Sequence, residues 1–240
     1  MKSFVIDQGN TVTKLAVFDK GQITEVKRFS DPNAQFQIQD YILSQDLKNG
    51  IVCSVRKNKL VLGTFENSVL EFSHATKLFF KLDYKTPNTL GLDRIANAAA
   101  VIKMSTGNNH LIVDFGTCTT YSLVTNGVFV GGAISPGLGM RYRALSHYTA
   151  GLPLVDMSQT ALQDVIGKST EGSIKAGVEA AGLLEIDAMI EKYCSLYSEL
   201  NVIGTGGNMP FFESHLKSTI FAVPNLTLLG LYEIYKYNEF

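Results

Sequence analysis

Two stretches of the chain repeat one pattern of apolar and polar positions. Ser3-Phe4-Val5-Ile6 runs into Asp7-Gln8-Gly9-Asn10-Thr11, and Leu111-Ile112-Val113 runs into Asp114-Phe115-Gly116-Thr117-Cys118-Thr119. Each is an apolar, β-branched run that predicts a buried strand, closed by Asp, a spacer, Gly and then hydroxyl or amide side chains. The echo continues downstream. Segments 13–19 and 120–124 predict second strands, and Lys20-Gly21 and Asn126-Gly127 predict hairpin turns into a third. Helical periodicity follows in each half, over 35–44 and 92–104 and then over 170–200 and 226–237. Strand hairpins followed by helices, twice over, predict an α/β fold made by duplication. The turn-forming run Ser105-Thr106-Gly107-Asn108-Asn109 separates the copies, giving one domain at 1–106 and another at 107–240. No low-complexity tract or Pro-rich linker intervenes, so the halves are expected to pack closely around a cleft.

Composition removes several classes of partner. The 240 residues are 45% hydrophobic and 18% charged, as in ordinary globular proteins, and the formal net charge of -1 offers no basic footprint for nucleic acid or an anionic membrane. No apolar run approaches the length of a membrane span, and the apolar residues before Asp7 are too few for a secretory signal. Cys53, Cys118 and Cys194 are odd in number and far apart, which argues against a disulfide framework and a zinc site. A soluble cytoplasmic protein is the expectation.

The strand-end loops are where chemistry is expected. Gly and Thr directly after a buried strand let backbone N–H and hydroxyl groups approach a phosphate closely. Asp7 repels phosphate, so its useful task there is to hold Mg²⁺, directly or through water; Asp114 invites a similar cation reading. Either Asp could instead cap its turn, but two copies in matching context favour the phosphate reading.

A second concentration is Tyr84-Lys85-Thr86-Pro87-Asn88-Thr89-Leu90-Gly91-Leu92-Asp93-Arg94, just before a helical run. Asp93 suits a helix's first turn and capping alone would explain it, whereas Arg94 opposes the helix dipole and suggests an anionic partner. Beside such a cation, Asp93 is placed to take a proton from a substrate hydroxyl. Tyr84 enters as a substrate contact only through its nearness to this cluster. Further on, the glycine-rich run Gly131 to Gly139 and the turn Gly204-Thr205-Gly206-Gly207-Asn208 read either as tight connections or as places where a ligand meets backbone.

Taken in order, these pieces resemble type III pantothenate kinases, within the superfamily of sugar kinases, acetate kinase, Hsp70 and actin. The matching segments are DQGNT at 7–11, GLDR at 91–94, DFGTCTT at 114–120, GGAISPG at 131–137, TAGLP at 149–153, TEGSIKAG at 170–177 and TGG at 205–207. The resemblance implies duplicated actin-like (ribonuclease H-like) domains, with mixed sheets flanked by helices and ATP in the cleft. It implies phosphorylation of pantothenate by ATP, the first step of coenzyme A synthesis, in a homodimer that needs Mg²⁺ and a monovalent cation, K⁺ or NH₄⁺. By position, Asp7, Gln8, Gly9, Asn10, Thr11, Val12, Thr13 and Lys14 become the first phosphate loop, and Thr117 contacts ATP. Asp93 becomes the proton acceptor, with Tyr84, Gly91, Leu92, Asp93 and Arg94 contacting pantothenate. Asp114 would bind the monovalent cation, and Thr170 would reach pantothenate near the subunit interface, in the neighbouring subunit's site. The chain departs from the family at Tyr121-Ser122, where a further Asp is frequent, and at Ser173, in place of a usual Ala. Two other readings stand beside this one. They are an ATP-binding regulatory or accessory protein of the same fold, and a kinase of another small alcohol. The first has no need of the Tyr84, Asp93 and Arg94 cluster, and the chain length leaves little room for the second's inserted substrate domains.

Overall fold

Both apolar runs are the central strands of mixed sheets. The computed structural model describes residues 2–30, 34–56, 60, 69–157 and 164–239. They fall into two compact units, Met1–Ser105 with Gly127–Phe129 and Asn225–Phe240, and Thr106–Asn126 with Val130–Pro224.

In the first unit the strands are β1 (Ser3–Gln8), β2 (Thr13–Asp19), β3 (Gln22–Phe29), β4 (Gly50–Ser54) and β5 (Val69–Glu71), in the order β3-β2-β1-β4-β5. β1 pairs antiparallel with β2 and parallel with β4. Helix α1 (Ala34–Ser44) covers one face, where Phe4, Ile6, Leu15 and Val17 pack with Ile38, Tyr41 and Ile42. A short strand, β6 (Lys81–Leu82), pairs in parallel with Val128 and Phe129. Helix α2 (Leu92–Met104) packs against the C-terminal helix (Leu226–Asn238), which is grouped with this unit although sequence order puts it in the second half. Buried Ala98, Ala99 and Ala100 let the two backbones close up, and Thr227 Oγ1 donates to Asn97 Oδ1 at 2.9 Å.

The second unit repeats the plan with β7 (Asn109–Phe115), β8 (Cys118–Thr125), β9 (Val128–Pro136), β10 (Leu200–Thr205) and β11 (Phe221–Ala222). Their order is β11-β10-β7-β8-β9, with β6 added beyond β9, and β7 is antiparallel to β8 and parallel to β10. The order matches that of the first unit, which makes the sequence echo a duplication of topology. Both hairpins close through two residues of positive φ, Lys20 and Gly21 in one and Asn126 and Gly127 in the other. That conformation follows the strands' twist and is one that Asn-Gly and X-Gly pairs adopt readily. Helices α3 (Leu138–Tyr148), α4 (Thr170–Lys175), α5 (Ala181–Leu196) and α6 (Met209–Glu213) complete this unit, so the C-terminal helix is α7. The core joins Leu111, Val113 and Phe115 to Leu138, Tyr142, Ile174, Val178 and Ile186.

Two expectations shift. The glycine-rich run at 131–136 is the end of strand β9, not a loop. The helix expected over 170–200 contains a π turn at Ala176–Ala180, stops at Leu196 and gives way to β10 at Leu200. No helix among the described residues is long and apolar enough to cross a membrane.

Candidate active site

In the first unit, chemistry gathers where β1, β4 and α2 end or begin. Register places Asp7 beside Cys53 and Gln8 beside Ser54 across the parallel β1–β4 pair. Ser54 Oγ donates to Gln8 Oε1 at 2.6 Å, and Arg56 Nε donates to the Gly9 carbonyl at 2.6 Å. Gly9 N–H bonds the Val12 carbonyl at 3.1 Å, closing the loop between β1 and β2. Gln8 and Thr13 are buried in this frame, while Gly9, Asn10, Thr11, Val12 and Lys14 keep accessible surface. The Cys53 thiol is pushed well above its ordinary range, first by burial and then by the charges of Asp7 and Asp93. The two carboxylates singled out from separate motifs therefore share one neighbourhood.

Asp93 lies in the first turn of α2, behind a Gly91 N-cap that has no side chain to offer. Its Oδ1 accepts from the Arg94 N–H at 2.8 Å and folds back over Gly91, where a Cβ would collide with it. The Gly-x-Asp spacing thus has a steric reason. Arg94 is only 4% exposed, with its guanidinium 5.5 Å from the Phe129 ring centre. Tyr84 meets the same ring edge-on at 5.9 Å. Phe129 thereby joins two predicted substrate residues, and the sequence reading passed over it. The reading also missed Cys53, Ser54 and Arg56; their signal was the second apolar run, 50–53, ending in Ser54.

In the second unit three separate motifs converge on one loop. Asn208 N–H donates to the Phe115 carbonyl at 3.0 Å, its side-chain amide donates to the Gly116 carbonyl at 3.4 Å, and Gly137 N–H donates to the Thr117 carbonyl at 3.2 Å. Three consecutive carbonyls are thus held by protein donors, which suits a loop meant to meet an anion. Asp114 pairs with Thr120 on one side and Thr205 on the other, as Asp7 pairs with Lys14 and Cys53. Gly206 has φ +100, and a Cβ there would stand 2.5 Å from Asp114 Oδ1, so only glycine leaves room beside that carboxylate. Asp114 and Thr117 are half-buried.

Thr170 is exposed at the start of α4, where the Ser169 hydroxyl accepts the Gly172 N–H at 3.0 Å as N-cap. Beyond it a groove of about 550 Å³ is lined by Val165, Ile166, Ser173, Gly177, Ala181 and Leu184. Its small residues fall at Ser173, Gly177 and Ala181, because the π turn advances the helix by an extra residue and buries Ala180.

Among the described residues no group of three or more His, Cys, Asp or Glu forms a metal cage. Mg²⁺ held between protein and phosphates needs only one or two carboxylates, and Asp7, near the end of β1 with accessible surface, fits that need. Asp114, enclosed by the Gly206 and Gly116 backbone, supplies a hard oxygen suited to a monovalent cation.

Comparison with known proteins agrees in fold and in family. The family model for type III pantothenate kinase matches residues 3–192. A type III pantothenate kinase of Cytophaga hutchinsonii is 38% identical over 239 residues, covering 98% of this chain and 99% of the relative. One from Phocaeicola vulgatus is 39% identical over 243 residues, covering 99% of each. Among solved structures, a Campylobacter jejuni protein described as a candidate Baf-family transcriptional activator superposes with TM-score 0.61 at 20% identity, covering 98% of both chains. The inorganic polyphosphate/ATP-glucomannokinase of Arthrobacter sp. strain KM gives 0.53 at 14% identity, covering 99% of both. At these identities the structures speak for the actin-like kinase fold alone. With the family model and near-full-length relatives in agreement, the chain belongs to the type III pantothenate kinase family.

Proposed function

We propose that this protein transfers the γ-phosphoryl group of ATP to the primary hydroxyl of pantothenate, giving 4'-phosphopantothenate for coenzyme A synthesis. The observation that carries the reading is the loop after Asp7, held at the end of β1 against β4, together with Asp93 in the first turn of α2, its Oδ1 on the Arg94 N–H. Family membership supplies the substrate.

Phosphoryl transfer asks the protein mainly for positioning and charge balance. The residues from Asp7 to Lys14 hold phosphate oxygens, with the Gly9 backbone fixed by Arg56. Thr117, on the second loop, contacts the nucleotide. Bound at Asp7, Mg²⁺ supplies neutralisation of phosphate charge, and K⁺ or NH₄⁺ at Asp114 does the same from the second loop. Asp93 keeps Oδ1 on the Arg94 N–H and receives the pantothenate hydroxyl proton at Oδ2. Gly91, Leu92, Tyr84 and Arg94 line the acceptor, and the Arg94 charge favours its carboxylate.

We further propose that the working unit is a homodimer joined along the groove beside α4 and α5, with Thr170 near the interface. The activity is assigned to the cytoplasm, where coenzyme A synthesis draws on ATP.

The test is incubation of the pure protein with ATP, Mg²⁺ and a panel of small alcohols including pantothenate, with and without K⁺. The expected product is pantothenate heavier by one phosphoryl group, formed faster with K⁺. No product in the presence of K⁺ overturns the reading, and phosphorylation of another alcohol alone reassigns the acceptor.

A further inference from the structure

The second phosphate loop is fastened from behind through Ser135 and Pro136 by Arg141 and Glu185, which lie outside the quoted motifs. Glu185, on α5, accepts from the Ser135 hydroxyl at 2.7 Å and from Arg141 Nη2 at 2.6 Å. The same Nη2 reaches Ser135 Oγ at 2.9 Å, while Arg141 Nε donates to the Pro136 carbonyl at 2.8 Å. Residues 135 and 136 are thus tied down immediately before Gly137. Gly137 in turn donates to the Thr117 carbonyl at 3.2 Å, and a Cβ on it would lie 2.5 Å from the Gly116 oxygen and 2.6 Å from the Thr117 oxygen. With so little slack, Gly137 cannot shift without displacing Thr117 or losing that bond.

We propose that Ser135, Arg141 and Glu185 form a positioning clamp that sets the second phosphate loop for ATP, acting through Gly137. The proposal rests on the reading that Thr117 contacts the nucleotide.

An exposed ion pair would carry little weight, since solvent and salt screen it and ordering two long side chains costs entropy. This one is partly sheltered, with side-chain exposures of 23% for Arg141 and 37% for Glu185. Burial pushes the Glu185 carboxyl up, but the Ser135 and Arg141 hydrogen bonds and the Arg141 charge outweigh it and hold the carboxyl below its usual range. A pair serving stability alone has no need of Ser135 and Pro136, whereas a clamp on the end of β9 needs both. Arg141 meets its partners through two nitrogens of a rigid planar fork, which the single ammonium of Lys cannot copy. The base of the clamp is firm as well. Tyr142, the next residue on α3, donates its hydroxyl to the fully buried Glu179 of the π turn at 2.5 Å, so α3 is bound to the long helical segment at two adjacent positions.

The experiment pairs steady-state kinetics with calorimetric binding of a non-hydrolysable ATP analogue to the full-length enzyme. Glu185→Ala is expected to raise the KM for ATP and the analogue Kd about tenfold, with the KM for pantothenate moving less than about twofold. Glu185→Gln, which keeps the acceptor oxygen, regains most of the loss, and Arg141→Lys behaves like Glu185→Ala. If Glu185→Ala does not fold, Ser135→Ala carries the same comparison, because it removes one hydroxyl and leaves the ion pair. An unchanged analogue Kd, or a parallel rise in both KM values, overturns the clamp. Thr117→Ala separates the two levels of the argument. If it leaves the analogue Kd unchanged, the nucleotide reading of the loop falls and the clamp with it; if it weakens binding while the clamp variants do not, the clamp alone falls.

Discussion

Two roles compete for Asp93, helix cap and proton acceptor, and its two oxygens allow both. Oδ1 accepts from the Arg94 N–H, which also reaches the Gly91 carbonyl at 3.1 Å, and this leaves Oδ2 for chemistry. Asp93→Asn separates the roles, because the amide oxygen can still accept from Arg94 while the base is gone. The kcat for pantothenate should fall by about 10² to 10⁴, with ATP affinity and melting temperature nearly unchanged. A kcat close to that of the unaltered enzyme assigns Asp93 to capping. Asp7→Asn should differ by weakening the use of ATP as well, with part of the loss recovered as Mg²⁺ is raised. Asp7 and Asp93 were legible in sequence because each sits in a short local pattern, an apolar strand with its Gly-containing loop or a helix start. Ser54 and Arg56 were not. They reach the first loop only through the parallel pairing of β1 with β4, across 46 and 47 positions of chain, and no local pattern encodes that partnership. Phe129 escaped for the same reason, since its tie to Tyr84 and Arg94 depends on β6 pairing with the first residues of β9.

Elements were easier to read than their neighbours in space. The duplicated hairpins, α1, α2 and α7 lie close to where apolar periodicity puts them, because each pattern is complete within a few turns or a few strand residues. The grouping of α7 with the first unit is a tertiary fact that sequence order obscures. It depends on Gly230, whose Cα faces the Ala96 carbonyl so closely that a Cβ would collide with it, and would also stand 3.1 Å from Ala100 N. Replacing Gly230 by Ala sets two effects against each other. Helix propensity favours Ala over Gly by about 1 kcal/mol, whereas overpacking costs roughly 1–3 kcal/mol and occasionally more. The obstructing atoms here are helix backbone, which cannot rotate aside, so the clash should win. Gly230→Ala is therefore expected to lower the urea midpoint of unfolding, and a raised midpoint would show that α2 and α7 stand further apart than described. The π turn is the opposite case. Nothing in Ala176–Ala180 announces it to a search for helical period, yet it moves Ala180 inside and brings Ala181 to the groove.

At the scale of the whole molecule, the proposed homodimer would use the groove beside α4 and α5. Val165, Ile166 and Leu184 are 62%, 69% and 54% exposed, around Ser173, Gly177 and Ala181, whose small side chains let another backbone approach closely. Among the described residues nothing lies within 4 Å of where a Gly177 Cβ would be, so their packing does not require its smallness. A two-fold interface would place one patch against its own copy, with Thr170 at the edge of the groove in each subunit. If each site takes Asp93 from one subunit and the partner's Thr170, defects at the two positions should complement each other. Asp93→Asn and Thr170→Val, each nearly inactive alone, are mixed after both are shown to fold and to exchange subunits. Random exchange makes half of the dimers mixed, and each mixed dimer holds one intact site, so about a quarter of the wild-type activity should return. A Leu184→Glu substitution in the groove should convert the protein to monomers in sedimentation and remove the activity, by setting a charge in the interface core. A fully active monomer, or confirmed mixed dimers that regain nothing, would mean that each chain completes its own site and that the groove serves some other contact.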